Sequence, residues 1–278
     1  MITLRDGRNV QVQEYGDPAG SPALWFHGAM SSRLEGGFFD AAAHELGVRL
    51  VALDRPGVGG SDPLAGRSAT DYALDATDVL DALGIDRAAV GGQSNGGMYA
   101  MAVASQIPDR VVRAVPYNPT TPVADRAAKA ALSRGARMSY SVMARKPEMV
   151  TKQAVRSSTP GRLAAALARR TNPDMRLLDD PATAAAWAAN TGEVLKQLDS
   201  GYLAGEIDLA VGRWGFDHRA VQVPVVLVSG EKDGGLGYAK VWANELPDGR
   251  LVVVPHGHIG MLDPAVAHRI VELLAGRP

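Results

Sequence analysis

The chain contains no cysteine. That absence removes a disulfide framework, a thiol nucleophile and a thiolate metal site from consideration together. Net charge is almost as scarce. Lysine and arginine total 29 against 30 aspartates and glutamates, a formal balance of −1, so no global attraction to nucleic acid or an anionic membrane is expected. No apolar run approaches the ~20 residues a membrane helix needs. The start, Met1-Ile2-Thr3-Leu4-Arg5-Asp6-Gly7, lacks the charged-then-apolar pattern of a secretion signal. The six histidines are scattered, without an HExxH run, so neither a metal nor a cofactor is expected. What remains is a 278-residue chain, 46% hydrophobic and 21% charged. That is the composition of an ordinary globular protein, long enough for one large α/β domain with an insertion. The expectation is a cytoplasmic enzyme, monomer or homodimer, whose partner is a small-molecule substrate.

Short apolar strands alternate with helical patterns through the first part of the chain. Val10–Tyr15 alternates with period two, Ala23–His27 is a short apolar run ending in His-Gly, and Arg49–Asp54 and Val111–Tyr117 are buried-strand runs. Between them lie helical patterns at Gly37–Leu46 and Asp71–Leu83. The second places Tyr72, Ala76, Val79, Leu80 and Leu83 on one face, with Thr70 as its N-cap and Gly84 past its end. Strand signals return at Pro224–Ser229 and Arg250–Pro255, with a helix near Lys240–Leu246 between them. A last helix has Asp263 as N-cap, Pro264 at its first position and Gly276 beyond its end. This alternation predicts a mostly parallel, doubly wound sheet covered on both faces.

From about Thr120 to Asp217 the strand signal disappears, and Ala-rich helical stretches (Asp125–Arg137, Gly161–Arg170, Pro181–Leu198) replace it. The prediction is a core of residues 1–119 and 218–278 with a helical insertion, 120–217, over one end of the sheet. Its charge is lopsided. Eleven basic residues face one acid, Glu148, from Arg126 to Arg170, and eight acids face three basic residues from Thr171 to Asp217. Pairing of the two halves across their surfaces is the favoured expectation; the alternative is a basic rim that attracts an anionic substrate.

Chemistry concentrates at Gly92-Gln93-Ser94-Asn95-Gly96, which follows the apolar run Ala88-Ala89-Val90-Gly91 and precedes a helical segment through Gln106. In that strand–turn–helix setting G-x-S-x-G reads as a nucleophile elbow. Its serine occupies a strained turn at a helix N-terminus, where backbone N–H groups can meet a developing oxyanion. A serine hydroxyl needs a base within reach, and the base needs an orienting carboxylate. Histidine suits the first role. His256 and His258 both follow the final strand, and Gly257 favours His258 by permitting a close approach to the serine. His218 lies before its strand begins, and His268 lies inside the last helix. For the acid, the loop after Val225–Ser229 offers Glu231 and Asp233. Asp233 lies deeper and is followed by Gly234-Gly235, whereas the loop after Val111–Tyr117 carries only the neutral Asn118.

Two oxyanion donors are expected, the backbone N–H groups of Asn95 and, from the loop after Ala23–His27, Ala29. Loss of one such donor typically costs ~3 kcal/mol of transition-state stabilisation. His27 is expected to hold that loop rather than act as a base. Asp54-Arg55-Pro56-Gly57-Val58-Gly59-Gly60-Ser61 lacks the Gly-Lys-Ser/Thr ending of a phosphate loop. It reads as a tight turn anchored by Asp54 and Arg55.

On His27-Gly28 after the third strand, the Asp54–Ser61 turn, the elbow at Ser94 and the terminal Gly257-His258, the chain resembles the α/β-hydrolase superfamily in its helical-capped, serine-nucleophile branch. The resemblance extends over the chain outside the cap and implies an eight-stranded sheet. Ser94 is then the nucleophile, His258 the base, Asp233 the acid, and the Ala29 and Asn95 N–H groups the oxyanion donors. Asn95 departs from the small or apolar residue frequent at its position, and its amide is a candidate substrate contact. Serine enzymes of this fold include carboxylesterases, lactonases, thioesterases, proline iminopeptidases, C–C bond hydrolases and perhydrolases, and the fold does not choose among them. A serine esterase or lactonase leads. A C–C hydrolase, lyase or tailoring enzyme and a non-catalytic ligand binder are the alternatives. An iminopeptidase would need a cap carboxylate for the substrate amine, for which Glu193 and Glu206 are candidates. The aromatic and methionine side chains of the cap, Met138, Tyr140, Met143, Trp187, Tyr202 and Trp214, are read chiefly as packing.

Overall fold

A computed structural model of the protein describes residues 1–157, 173–196 and 202–277. Nine strands are present among them: β1 (Ile2–Thr3), β2 (Asn9–Val10), β3 (Val12–Gly16), β4 (Ser21–Phe26), β5 (Val48–Leu53), β6 (Ala88–Gln93), β7 (Val111–Tyr117), β8 (Val225–Gly230) and β9 (Gly249–Val254). Seven of these form the central sheet, in the order β3-β5-β4-β6-β7-β8-β9. All neighbours are parallel except the edge pair β3–β5.

The expected eighth strand is missing from the sheet because the N-terminal segment folds on itself. Gly7, at φ +86°, turns Ile2–Thr3 back onto Asn9–Val10, and this two-stranded piece pairs with nothing else. The single strand expected at Val10–Tyr15 is also split. Gln11 donates its N–H to Ser61 Oγ and accepts from the Asp54 N–H, so its backbone serves the 54–61 turn.

Period-two alternation divides the core into two layers. Leu24, Phe26, Val51, Leu53, Val90 and Leu227 face one side, where α2 (Tyr72–Ala82), α3 (Asn95–Gln106) and α9 (Leu236–Glu245) cover them. Ala23, Trp25, Leu50, Ala52, Ala89, Val115 and Val228 face the other, under α1 (Asp40–Leu46) and α10 (Pro264–Leu274). Parallel strands buried on both faces explain the near-continuous apolar runs of the sequence. The last helix begins as expected, with Asp263 accepting from the Ala265 N–H. At α2 the expected N-cap fails. Thr70 Oγ1 bonds Ser68 Oγ in a preceding turn, and Asp71 stands at the cap position without a side-chain bond to the helix.

Between β7 and β8 the described residues are helical: α4 (Arg126–Ala131), α5 (Arg134–Arg145), α6 (Pro147–Ser157), a 3-10 segment at Pro173–Leu178, α7 (Pro181–Leu195) and α8 (Tyr202–Val211). The helix expected at Gly161–Arg170 and the end of the one expected at Pro181–Leu198 lie outside the described residues. The favoured cross-pairing of the two halves misplaces two of the acids, since Glu193 and Glu206 pair with the core arginines Arg33, Arg55 and Arg67. Among the described residues no helix is long and apolar enough to cross a membrane.

Candidate active site

Strand β6 delivers Ser94 to the C-terminal end of the sheet at a turn with φ +56° and ψ −118°. A residue with a Cβ seldom holds that backbone, which costs on the order of 1–3 kcal/mol, and the surroundings enforce it. The Ser94 N–H donates to the Tyr117 carbonyl at 2.9 Å, and its carbonyl accepts from Gly97 and Thr120 at 3.0 and 3.2 Å. Gly92 and Gly96 are required sterically. A Cβ on Gly96 would run into the Phe26 carbonyl, and one on Gly92 into the Gly96 backbone. Ser94 stands at the N-cap of α3, where its carbonyl takes the Gly97 N–H while its side chain makes no capping bond. Between Ala88 and Ala104 every residue is buried except Ser94.

Asp233 and His258 meet as expected, with Nδ1 of His258 2.7 Å from Asp233 Oδ2. The Gly235 N–H donates to Asp233 Oδ1 at 2.6 Å and holds that carboxylate in place. Burial alone would raise the Asp233 carboxyl, but the hydrogen bond and charge of His258, with the Gly235 N–H, hold it below the ordinary carboxylate value. Burial would conversely lower His258. The bonded Asp233 outweighs it, with Asp174 and Glu35 adding negative charge, and the imidazole is raised. Among the described residues the Ser94 hydroxyl makes no hydrogen bond, so the serine–histidine link is the one contact of the expected relay that is not made.

The two histidines divide as the sequence suggested. His256, at φ +73°, turns away and bonds Asp263 at 2.8 Å, at the head of α10. Gly257 does something other than expected. Where its Cβ would stand is Asp174, 2.9 Å away, rather than the serine. His218 is engaged by Glu245 at 2.6 Å, and His268 is half-buried beside Glu45 and Glu272.

The loop after β4 is held from within. His27 Nδ1 bonds the Gly28 carbonyl at 2.8 Å and Nε2 accepts the Arg55 N–H at 3.1 Å, which makes Nδ1 the protonated nitrogen. Complete burial and the Arg55 charge hold this imidazole well below its usual value, so it is a neutral brace. The Gly28 N–H donates to Glu35 at 3.2 Å, and Trp25 donates to the same carboxylate at 2.8 Å. Burial pushes Glu35 up against those bonds. Among the described residues the N–H groups of Ala29 and Asn95 have no acceptor. The 54–61 segment is the expected anchored turn. Both Asp54 oxygens accept from Arg33 at 2.7 Å, and burial, opposed by Arg33, pushes that carboxyl up to about 6.

The roles of several residues that bind this assembly together are not legible in the sequence. Asn118, at φ +42°, accepts the Gly230 N–H at 2.9 Å and donates to the Gly257 carbonyl at 2.9 Å, joining the Asp233 loop to the His258 loop. Gln93 donates to the His258 carbonyl at 3.1 Å, linking the Ser94 turn to the His258 loop. The helices of the insertion supply the rest. Asn190 of α7 bonds Ser31 and Ser32 at 2.7–2.9 Å. Glu206 of α8, fully buried, meets Arg67 at 2.5 Å, Tyr99 at 2.9 Å, Asn95 at 3.0 Å and Arg55 at 3.1 Å. Burial would raise Glu206, but the Arg55 and Arg67 charges overcome it and hold the carboxyl below its usual range. Arg55 in turn donates to the His27 and Gly28 carbonyls at 2.5 and 2.9 Å and to the Tyr202 hydroxyl at 2.7 Å. The Asn95 NH₂ is thus taken by the Glu206 carbonyl and carboxylate, both at 3.0 Å. Of the side chains read as packing, Tyr202 and Trp214 are buried, while Met138 is 70% exposed.

A family model described as alpha/beta hydrolase fold matches residues 21–265. A relative named "Probable proline iminopeptidase" from Streptomyces coelicolor is 29% identical over 93% of this chain and 88% of its own length. An esterase from Exiguobacterium antarcticum superposes with a TM-score of 0.73 at 19% identity, covering 98% of each chain. The enol-lactonase from Burkholderia xenovorans gives 0.69 at 19%, again over 98% of each. At those identities the two superpositions speak to the fold alone.

Proposed function

This chain belongs to the α/β-hydrolase family, and from that premise we propose that it cleaves a small carboxylic ester or lactone through an acyl-enzyme on Ser94. The observation that carries the reading is the 2.7 Å bond between Asp233 and Nδ1 of His258. It turns Nε2 into the proton-accepting nitrogen, on a loop that Gln93, the neighbour of Ser94, holds by its carbonyl. Ser94 Oγ attacks the acyl carbon and passes its proton to Nε2. The oxyanion is met by the N–H groups of Ala29 and Asn95, and the imidazolium returns the proton to the departing alcohol. Water then repeats the sequence to release the acid. The Ser94–His258 hydrogen bond belongs to the substrate complex, since such bonds commonly tighten only there. In this reading residues 1–119 and 218–278 are the core and 120–217 the cap.

A second reading, an iminopeptidase, is favoured by the Streptomyces coelicolor relative, whose likeness spans most of both chains. It needs a carboxylate for the substrate amine. Both candidates are engaged: Glu206 by two buried arginines, and Glu193 by Arg33 at 3.3 Å and Lys196 at 2.6 Å. The ester reading therefore leads. Turnover measured on p-nitrophenyl butyrate, a γ-lactone and proline p-nitroanilide separates them. Ester or lactone hydrolysis with an inert anilide is expected; preferred cleavage of the anilide would reverse the order.

A further inference from the structure

One buried carboxylate lies against the His258 loop without belonging to the relay. Asp174, in the 3-10 segment Pro173–Leu178 of the insertion, is fully buried. Its Oδ1 accepts the Gly257 N–H at 2.7 Å and its Oδ2 the Ile259 N–H at 3.1 Å. One carboxylate thus holds the peptide groups on both sides of His258. Hydrogen bonds to an ionised acceptor are the stronger kind, and such bonds are what make a buried carboxylate tolerable. The approach depends on glycine, because a Cβ at Gly257 would lie 2.9 Å from Asp174 Oδ2. From the core side, Tyr117 and Asn118 donate to the Gly257 carbonyl at 3.0 and 2.9 Å, and Gln93 to that of His258. The core therefore holds the carbonyls of this loop, and the insertion holds its N–H groups.

We propose that Asp174 is a positioning residue for the general base, fixing the backbone on either side of His258. The proposal rests on the reading of His258 as the base of a serine hydrolase. It makes the insertion part of the apparatus that aims the base rather than only a wall over the substrate. The charged groups that bear on His258 are Asp233, bonded to Nδ1, and Asp174 and Glu35, which act through charge. Of the neighbouring titratable groups, His256 is paired with Asp263, and the Tyr117 phenol, raised by burial, stays neutral.

The test compares the wild-type protein with Asp174→Asn, Asp174→Ala and Gly257→Ala, reading kcat, KM, the pH profile of kcat/KM and Tm. Asp174→Asn keeps the shape but loses the charge and turns an NH₂ toward one of the two N–H groups. Its acid limb should move to lower pH, and kcat should fall about tenfold or more with KM little changed. Asp174→Ala should lose on the order of 100-fold in kcat, the scale of a misplacement of about 1 Å. Gly257→Ala leaves the charge in place but disturbs the approach, so kcat should fall without removal of the charge, and this variant carries the test should Asp174→Ala fail to fold. Variants that lower only Tm, with kcat and the acid limb matching the wild type where they are folded, would overturn the proposal. Fluorophosphonate trapping of wild-type Ser94 keeps the two levels apart. Labelled wild type with silent variants sinks this inference alone, whereas wild type with neither label nor ester turnover sinks the reading beneath it as well.

Discussion

At the scale of single residues, the Asp233–His258 pair sets a pH dependence of both activity and stability. In the proposed mechanism the base works when neutral, so kcat/KM should fall on the acid side around a value above the ordinary imidazole pKa, because His258 is raised. In stability, a raised histidine contributes fully below its unfolded value, about 6.5, and the contribution is lost as pH climbs through the folded one. A lowered aspartate contributes above its unfolded value, about 3.9, and loses the contribution as pH drops through the folded one. The pair therefore helps most between roughly pH 4 and 6.5. Urea midpoints of wild type and Asp233→Asn should differ most in that window, and the gap should narrow without closing as pH rises through the raised value of His258; a gap independent of pH would contradict the assignment. Asn118 makes a second prediction at this scale. Asn118→Asp replaces the donor to the Gly257 carbonyl with a carboxylate oxygen, so kcat should fall at least about tenfold with KM little moved, as steady-state kinetics would show. Ser94, His258 and Asp233 were legible because their residue types, chain order and strand-end positions coincide. Asn118 was read only for the charge it lacks, since its two amide bonds join loops more than 100 residues away in sequence.

At the scale of elements, α8 is docked by charge as well as by packing. Tyr202, Leu203, Glu206, Ile207 and Ala210 form its buried stripe, while Asp208 on the opposite side is exposed. Removing Glu206 would strand Arg55, fully buried, and Arg67, nearly so, without their counter-charge. Breaking a buried pair in this way typically costs about 3–5 kcal/mol, so Glu206→Ala should lower the unfolding free energy by that order in urea titration. A loss below ~1 kcal/mol would mean that the arginines find other partners. Glu206 was visible in the sequence only as a candidate partner for a substrate amine. Its partners were not, because Asn95, Tyr99, Arg55 and Arg67 lie on segments that only the fold brings to α8. Asn190, a buried amide on the Ala-rich α7, likewise shows its role only once the fold brings Ser31 and Ser32 to it.

At the scale of the whole molecule, the sheet was legible because doubly buried parallel strands write themselves as apolar runs between helical periods. The strand count was not. Whether Ile2–Thr3 joins the sheet depends on the turn at Gly7 and on what captures the backbone of Gln11, and neither has a periodic signature. The insertion was legible as helix, while its polar anchors on the core loops were not. Those anchors give the molecule its organisation: Asn190 on the loop after β4, Glu206 on the elbow and the Arg55 turn, and Asp174 on the base loop. The central claim is that Ser94 is activated by His258. Its most direct test is intact mass spectrometry after exposure to a fluorophosphonate, on wild type, Ser94→Ala and His258→Ala. A single adduct on wild-type Ser94, absent from Ser94→Ala and slowed by orders of magnitude in His258→Ala, is the predicted result. An adduct that persists in Ser94→Ala, or a His258→Ala protein that labels as fast as wild type, would contradict it.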